Sequence, residues 1–223
     1  MEKEIKRDYY LEQLINRKDN GLIKIVTGIR RCGKSYLLRI LFKKHLLESG
    51  VEESHIVEMA FDLYDNIEYR NPKIFYPWAK EQIKDDGKYY FLLDEVQLLE
   101  EFVSVLNGLA DKKNCDVYVT GSNAKFLSKD IATEFGGRGD EVHMYPLSFS
   151  EFMTVYEGNR YDGWNEYITY GGIPLVVLAE TEEQKMTILD NLFEETYLND
   201  IKRRNNIRNI GEMKAMLDVL SSA

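Results

Sequence analysis

Between Gly28 and Ser35 the chain reads GIRRCGKS, a GxxxxGKS pattern set between an apolar, β-branched run, Leu22 to Thr27, and an amphipathic stretch, Ser35 to Glu48. Strand, glycine loop and helix in that order is the context in which this pattern cradles phosphate. Gly28 and Gly33 permit backbone conformations and close approaches that a side chain would block, so successive amides can face the β- and γ-phosphates. Gly28, Ile29, Arg30, Arg31, Cys32, Gly33, Lys34, Ser35 and Tyr36 therefore form the expected nucleotide-binding segment. Lys34 supplies positive charge, the Ser35 hydroxyl is a magnesium ligand, and the start of the following helix adds partial positive charge. Arg30 and Arg31 are open between phosphate or subunit contact and a solvated, ion-paired role.

The rest of the chain extends this strand-loop-helix unit. His55 to Phe61, Lys88 to Leu93, Asp116 to Thr120 and Glu141 to Tyr145 read as further strands, and Ile74 to Lys84 and Val103 to Asp111 as helices between them. A short helix, Tyr9 to Ile15, precedes the first strand. Such alternation predicts an α/β fold of the P-loop NTPase type: three layers built on a mainly parallel, five-stranded sheet. From Ser150 the pattern changes to helices, Ser150 to Tyr156, Trp164 to Tyr170, Glu182 to Leu198 and Ile210 to Leu220. The expected division is residues 1–149 for the P-loop core and 150–223 for a C-terminal helical segment, cut off before further domains.

Three more features fall where a parallel sheet presents its ligand crevice. The run Phe91-Leu92-Leu93-Asp94-Glu95 ends an apolar strand in two acids: Asp94 is placed to hold magnesium and Glu95 to deprotonate an attacking water. The fourth strand runs into Thr120-Gly121-Ser122-Asn123, where Asn123 can bond the γ-phosphate or the lytic water, or else cap the next helix. Gly136-Gly137-Arg138-Gly139 puts Arg138 on a loop, either as a transition-state arginine or as a solvated turn.

Composition removes several alternatives. A net charge of -9 argues against broad nucleic-acid binding, leaving Lys202, Arg203, Arg204 and Arg208 as the one dense basic cluster for DNA. No run of about 18 apolar residues and no signal-peptide pattern occurs, so no membrane partner is expected and the cytoplasm is the default location. Cys32 and Cys115 read as reduced thiols, and His45, His55 and His143 lack metal-ligand spacing.

GIRRCGKS, FLLDEVQ, VTGSN, GGRG and YPLSFSEF together resemble a family of prokaryotic AAA-type ATPases related to archaeal and signal-transduction ATPases, as do the later YGGIP and YLNDI. Tyr145-Pro146-Leu147-Ser148-Phe149, with Glu151-Phe152, is the most diagnostic run. The resemblance implies ATP rather than GTP, with Mg2+: Lys34 and Ser35 on phosphate and metal, Asp94 and Glu95 as the catalytic pair, Asn123 as sensor, and Arg138 as a finger. It also implies a homo-oligomer in which Arg138 serves its own site or a neighbour's.

The leading expectation is magnesium-dependent ATP hydrolysis coupled to a conformational change between core and helical segment. The alternative is a nucleotide-dependent switch with negligible intrinsic turnover. A small-molecule kinase, with Asp62 gripping an acceptor, is disfavoured because Glu95 suits water activation.

Overall fold

The structure, a computed structural model, describes residues 4–121, 135–194 and 210–221. Five strands, β1 (Ile23–Thr27), β2 (Ile56–Ala60), β3 (Tyr89–Asp94), β4 (Cys115–Thr120) and β5 (Gly139–His143), form one sheet in the order β2-β3-β4-β1-β5. Every pairing is parallel. Around it lie α1 (Asp8–Asn16), α2 (Lys34–Tyr36), which continues through π-helical Leu37–Phe42 into α3 (Lys43–Glu48), α4 (Pro72–Gln82) and α5 (Phe102–Ala110).

β1, β3 and β4 are buried along their whole length, as central parallel strands covered on both faces must be. Successive side chains point to opposite faces. Ile23 and Ile25 thus join Phe91, Leu93 and Val119 against α4 and α5, whereas Val26 joins Leu92, Tyr118 and Val142 against α1, α2 and α3. Lys24 is fully buried on β1, where its ammonium meets the Asp116 carboxylate and lies 5.0 Å from the Tyr118 ring centroid.

After β5 the chain turns into α6 (Phe149–Met153), α7 (Arg160–Tyr170), α8 (Pro174–Val177) and α9 (Glu182–Asn191), with α10 (Ile210–Ser221) near its end. Ser148 starts α6 with a capping box: its Oγ accepts from the Glu151 amide at 3.3 Å, and Glu151 Oε2 accepts from the Ser148 amide at 2.8 Å. Phe149 and Phe152 pack with Trp164 and Tyr167, fixing α6 on α7. The Leu147 amide donates to the Gly172 carbonyl at 2.7 Å, and a Cβ on Gly172 would lie 2.1 Å from the Leu147 oxygen, so only glycine fits there. Among the described residues no helix is long and apolar enough to cross a membrane.

The expected sheet and its flanking helices are present with shifted ends: α6 stops at Met153, short of the expected Tyr156, and α7 starts at Arg160, ahead of the expected Trp164. β5 begins at Gly139, before the expected Glu141, because its backbone pairing with β1 starts at Ile23 opposite Gly139. The expected helix Glu182 to Leu198 is seen as α9 followed by a π-turn over residues 192–194, and the remainder lies outside the described residues.

Candidate functional site

Register brings the polar strand ends to one edge of the sheet. Val26 is paired with Thr120 and Ala60 with Asp94, so the loop after Thr27, the two acids and Thr120 are neighbours there. Gly28 has φ +140° and a Cβ on it would sit 2.2 Å from the Met144 carbonyl oxygen; Gly33, entering α2, has φ +100°. Arg31 (φ +65°) and Glu95 (φ +52°) also hold the left-handed conformation, which costs a non-glycine residue roughly 1–3 kcal/mol and concentrates at functional sites.

Lys34 is buried and its ammonium donates to the carbonyls of Gly28 at 3.0 Å and Ile29 at 2.9 Å, so its charge lies inside the loop. The Ser35 hydroxyl donates to Asp94 Oδ1 at 3.0 Å. Thr120 Oγ1 donates to the same carboxylate oxygen and accepts from the Glu95 amide at 3.0 Å. Gln97 Nε2 donates to Glu95 Oε2. Burial pushes the Asp94 carboxyl above its ordinary value, against the opposing hydrogen bonds from Thr120 and Ser35.

These groups open on a cleft of about 640 Å³, within the usual size for a small-molecule site. Arg30, Arg31, Gly33, Lys34, Ser35 and Tyr36 line it from the loop, and Asp62, Glu95 and Gln97 from the strand ends. Its apolar lining comes from Ile5, Leu147, Pro174, Leu175 and Leu178, so the N-terminal and helical segments complete it. Gly28, Ile29 and Cys32 are not among the residues that line it: Gly28 is buried, Ile29 packs against the Ile173, Val176 and Leu192 cluster, and the Cys32 thiol points to the Met144 carbonyl at 3.6 Å.

The structure therefore brings together Lys34, Ser35, Asp94 and Glu95. It does not bring Arg138 to them. The Arg138 carbonyl accepts from the Ile23 amide at 2.8 Å, at the opposite sheet edge, and its guanidinium pairs with Asp111 at 2.6 Å. As a finger for its own cleft, Arg138 is corrected by this placement, since a five-residue strand separates the two edges by roughly 13–17 Å. Asn123 and the cluster Lys202, Arg203, Arg204 and Arg208 lie outside the described residues. Sequence reasoning missed Thr120, Gln97 and Arg7; the first two lie within the motifs VTGSN and FLLDEVQ, while Arg7 carries no motif.

The Ser35 and Asp94 oxygens suit magnesium, a hard cation held by one or two protein oxygens together with phosphates and water.

A family model described as an AAA domain matches residues 20–153, and one described as a domain of unknown function matches residues 161–223. An uncharacterized protein of Haemophilus influenzae is 35% identical over 219 residues, covering 96% of this chain and 54% of its own length. One from Methanocaldococcus jannaschii is 29% identical over 234 residues, covering 98% of this chain and 49% of its own. The chain spans about half the length of the curated relatives it matches. Among solved structures, the Walker-type ATPase of Pyrococcus abyssi is similar with a TM-score of 0.60 at 15% identity, over 91% of this chain and 77% of that one. A DNA polymerase III gamma subunit-related protein of Thermotoga maritima gives 0.50 at 14%, over 83% of this chain and 62% of that one. At these identities the likeness is one of fold.

Proposed function

The chain belongs to the AAA domain family, and from that premise we propose that it binds ATP in the cleft and hydrolyses it with magnesium. The observation that carries this reading is the meeting of Lys34, Ser35, Asp94 and Glu95 at one sheet edge, around a cleft of suitable size. The loop amides cradle the phosphates, and Lys34 exchanges its carbonyl partners for phosphate oxygens. Ser35 and Asp94 hold the magnesium ion, which when bound offsets the charge of the β- and γ-phosphates. Glu95 takes the proton of the attacking water, and Asn123 orients that water. The apolar lining from Ile5, Leu147 and Pro174 takes the base. Because that lining belongs to the segments flanking the core, occupancy of the cleft alters how the helical segment sits on the sheet.

Glu95→Gln tests the central step. ATP affinity should stay near that of the native chain while turnover falls about a hundredfold or more, the range of a lost general base. Turnover equal to the native rate would remove Glu95 from this role.

One observation favours a second reading, a nucleotide-gated switch with little turnover of its own. Gln97 engages Glu95 Oε2, one of the two oxygens that can accept a proton from water. Phosphate release by the chain alone separates the readings: sustained release rules the switch out.

A further inference from the structure

Arg7 lies just before α1 and is only 2% exposed, yet its guanidinium reaches three separate parts of the chain. Nη1 donates to the Cys32 carbonyl in the phosphate loop at 2.9 Å. Nη2 donates to the Tyr145 carbonyl, at the exit from β5, at 2.6 Å. Nε lies 2.8 Å from Glu151 Oε1, in the first turn of α6, as an ion pair held by charge without hydrogen-bond geometry. The Tyr10 ring lies 4.7 Å from the guanidinium carbon, and its hydroxyl accepts from the Tyr145 amide at 3.1 Å. Two donors of the planar fork make the carbonyl bonds while the delocalised charge faces Glu151, a span that the single ammonium of lysine cannot match.

A buried strut could serve stability alone, but two features give Arg7 a further reach. Its acceptor in the loop is the residue two before Lys34, and Arg7 itself lines the cleft. Ile29 supplies a parallel connection, since it packs both against the core beneath α1 and against the helical cluster of Ile173, Val176 and Leu192. The loop is therefore linked to Glu151 through Arg7 and to Ile173 through Ile29. Interfaces packed in this way respond as discrete arrangements more than as continuous deformations.

We propose that Arg7 is a positioning residue that couples the phosphate loop to the helical segment, so that nucleotide in the cleft resets α6 through Glu151. The proposal rests on the reading of the cleft as a nucleotide site.

The chain holds its own reporter. It has two tryptophans, of which Trp78 packs against the core beneath α4 and Trp164 packs on Phe149 of α6, with ring centroids 5.0 Å apart. In a Trp78→Phe background the emission comes from Trp164 alone and reports the contact between α7 and α6. Titration with magnesium and a non-hydrolysable ATP analogue, alongside calorimetric binding, is carried out on this chain and on its Arg7→Lys and Glu151→Gln derivatives. Gln is accepted in a capping box, so Glu151→Gln removes the ion pair and keeps the start of α6. Circular dichroism checks that each variant folds; if Arg7→Lys does not, Glu151→Gln decides alone.

The expected result is a nucleotide-dependent change in Trp164 emission in the background chain. Glu151→Gln should bind the analogue and lose most of that change. Arg7→Lys should lose it too and bind about tenfold more weakly, a size usual for coupling between sites. A full Trp164 response in folded Glu151→Gln that binds the analogue would overturn the proposal, as would a background chain that binds the analogue with no Trp164 response. Absence of binding by the background chain would overturn the nucleotide reading itself, and the coupling with it.

Discussion

Thr120 uses one hydroxyl for two acids. Its oxygen accepts from the Glu95 amide while its proton goes to Asp94, in a fully buried position. Thr120→Val keeps the shape and removes both bonds, leaving a part-buried N–H and a buried carboxylate short of a donor, at a cost of about 1–3 kcal/mol. Denaturant unfolding should show that loss and phosphate release a matching fall in turnover, while Thr120→Ser restores both; equal behaviour of the Val and Ser variants would dismiss the role. Asp94 makes a second case. Burial raises its carboxyl above the ordinary 3.8, so the folded state binds the proton more readily than the unfolded state. Stability is then greatest with Asp94 protonated and falls as pH rises from the unfolded value through the raised folded one. Asp94→Asn removes that penalty, so at pH 7 without magnesium it should melt above the native chain, and it should lack the magnesium-dependent rise in melting temperature expected of the native chain with ATP. A lower melting point, or an intact magnesium effect, would contradict this. Lys34, Ser35, Asp94 and Glu95 were legible in the sequence because motif spacing and strand context carry them. Thr120 was not, since a threonine ending a strand reads as β-propensity, and only the pairing of β3 with β4 makes it a neighbour of Asp94. Arg7 was still less so: it stands 25 residues from Cys32 and 138 from Tyr145, a reach that no local pattern encodes.

Among the elements, the buried strands were the plainest to read, because IKIVT, YYFLLD and CDVYVT are short runs whose residues all go inside. Even there the lysine of β1 needed a partner from another strand, and Asp116 of β4 supplies it. β5 was blurred because GDEVH buries only one side chain fully; its start is set by backbone pairing with β1. The joint between core and helices rests on glycine placement that sequence shows only as GG. Gly171 has φ +75° and open space at its Cβ position, whereas Gly172 has the Leu147 carbonyl oxygen 2.1 Å from that position. Gly172→Ala must therefore push Leu147 away and break its 2.7 Å bond to the Gly172 carbonyl. The expected cost is about 1–3 kcal/mol, that of an overpacked contact. Hydrogen exchange should show faster exchange in α6 and α7 with β1 and β3 unchanged, an effect that Gly171→Ala, strained in backbone alone, should not reproduce. Uniform loss of protection across the sheet would instead mark Gly172 as a global core position.

At the scale of the whole molecule, parallel strands give the sheet two unlike edges. The phosphate loop, Asp94, Glu95 and Thr120 share one, and Arg138 stands at the other. Arg138 and Asp111 are each more than half exposed, with side chains 52% and 66% accessible, so their ion pair is worth no more than about 1 kcal/mol and gives way easily to a better anion. An arginine so placed can stabilise phosphoryl transfer only across a subunit boundary, with this edge of one chain facing the cleft of the next. Arg138→Ala should then leave ATP affinity unchanged and lower turnover by about a thousandfold, the lower bound for a lost arginine finger. Turnover per native chain should also rise with protein concentration. Mixing makes the inference sharper: Arg138→Ala chains retain a whole cleft, and Glu95→Gln chains retain the arginine. Each alone should be inactive, and the mixture should recover phosphate release, because one chain's Arg138 then completes the other's Glu95. A silent mixture of two folded, nucleotide-binding variants, or native turnover by Arg138→Ala, would make Arg138 a solvated turn residue and confine the proposed hydrolytic site to a single chain.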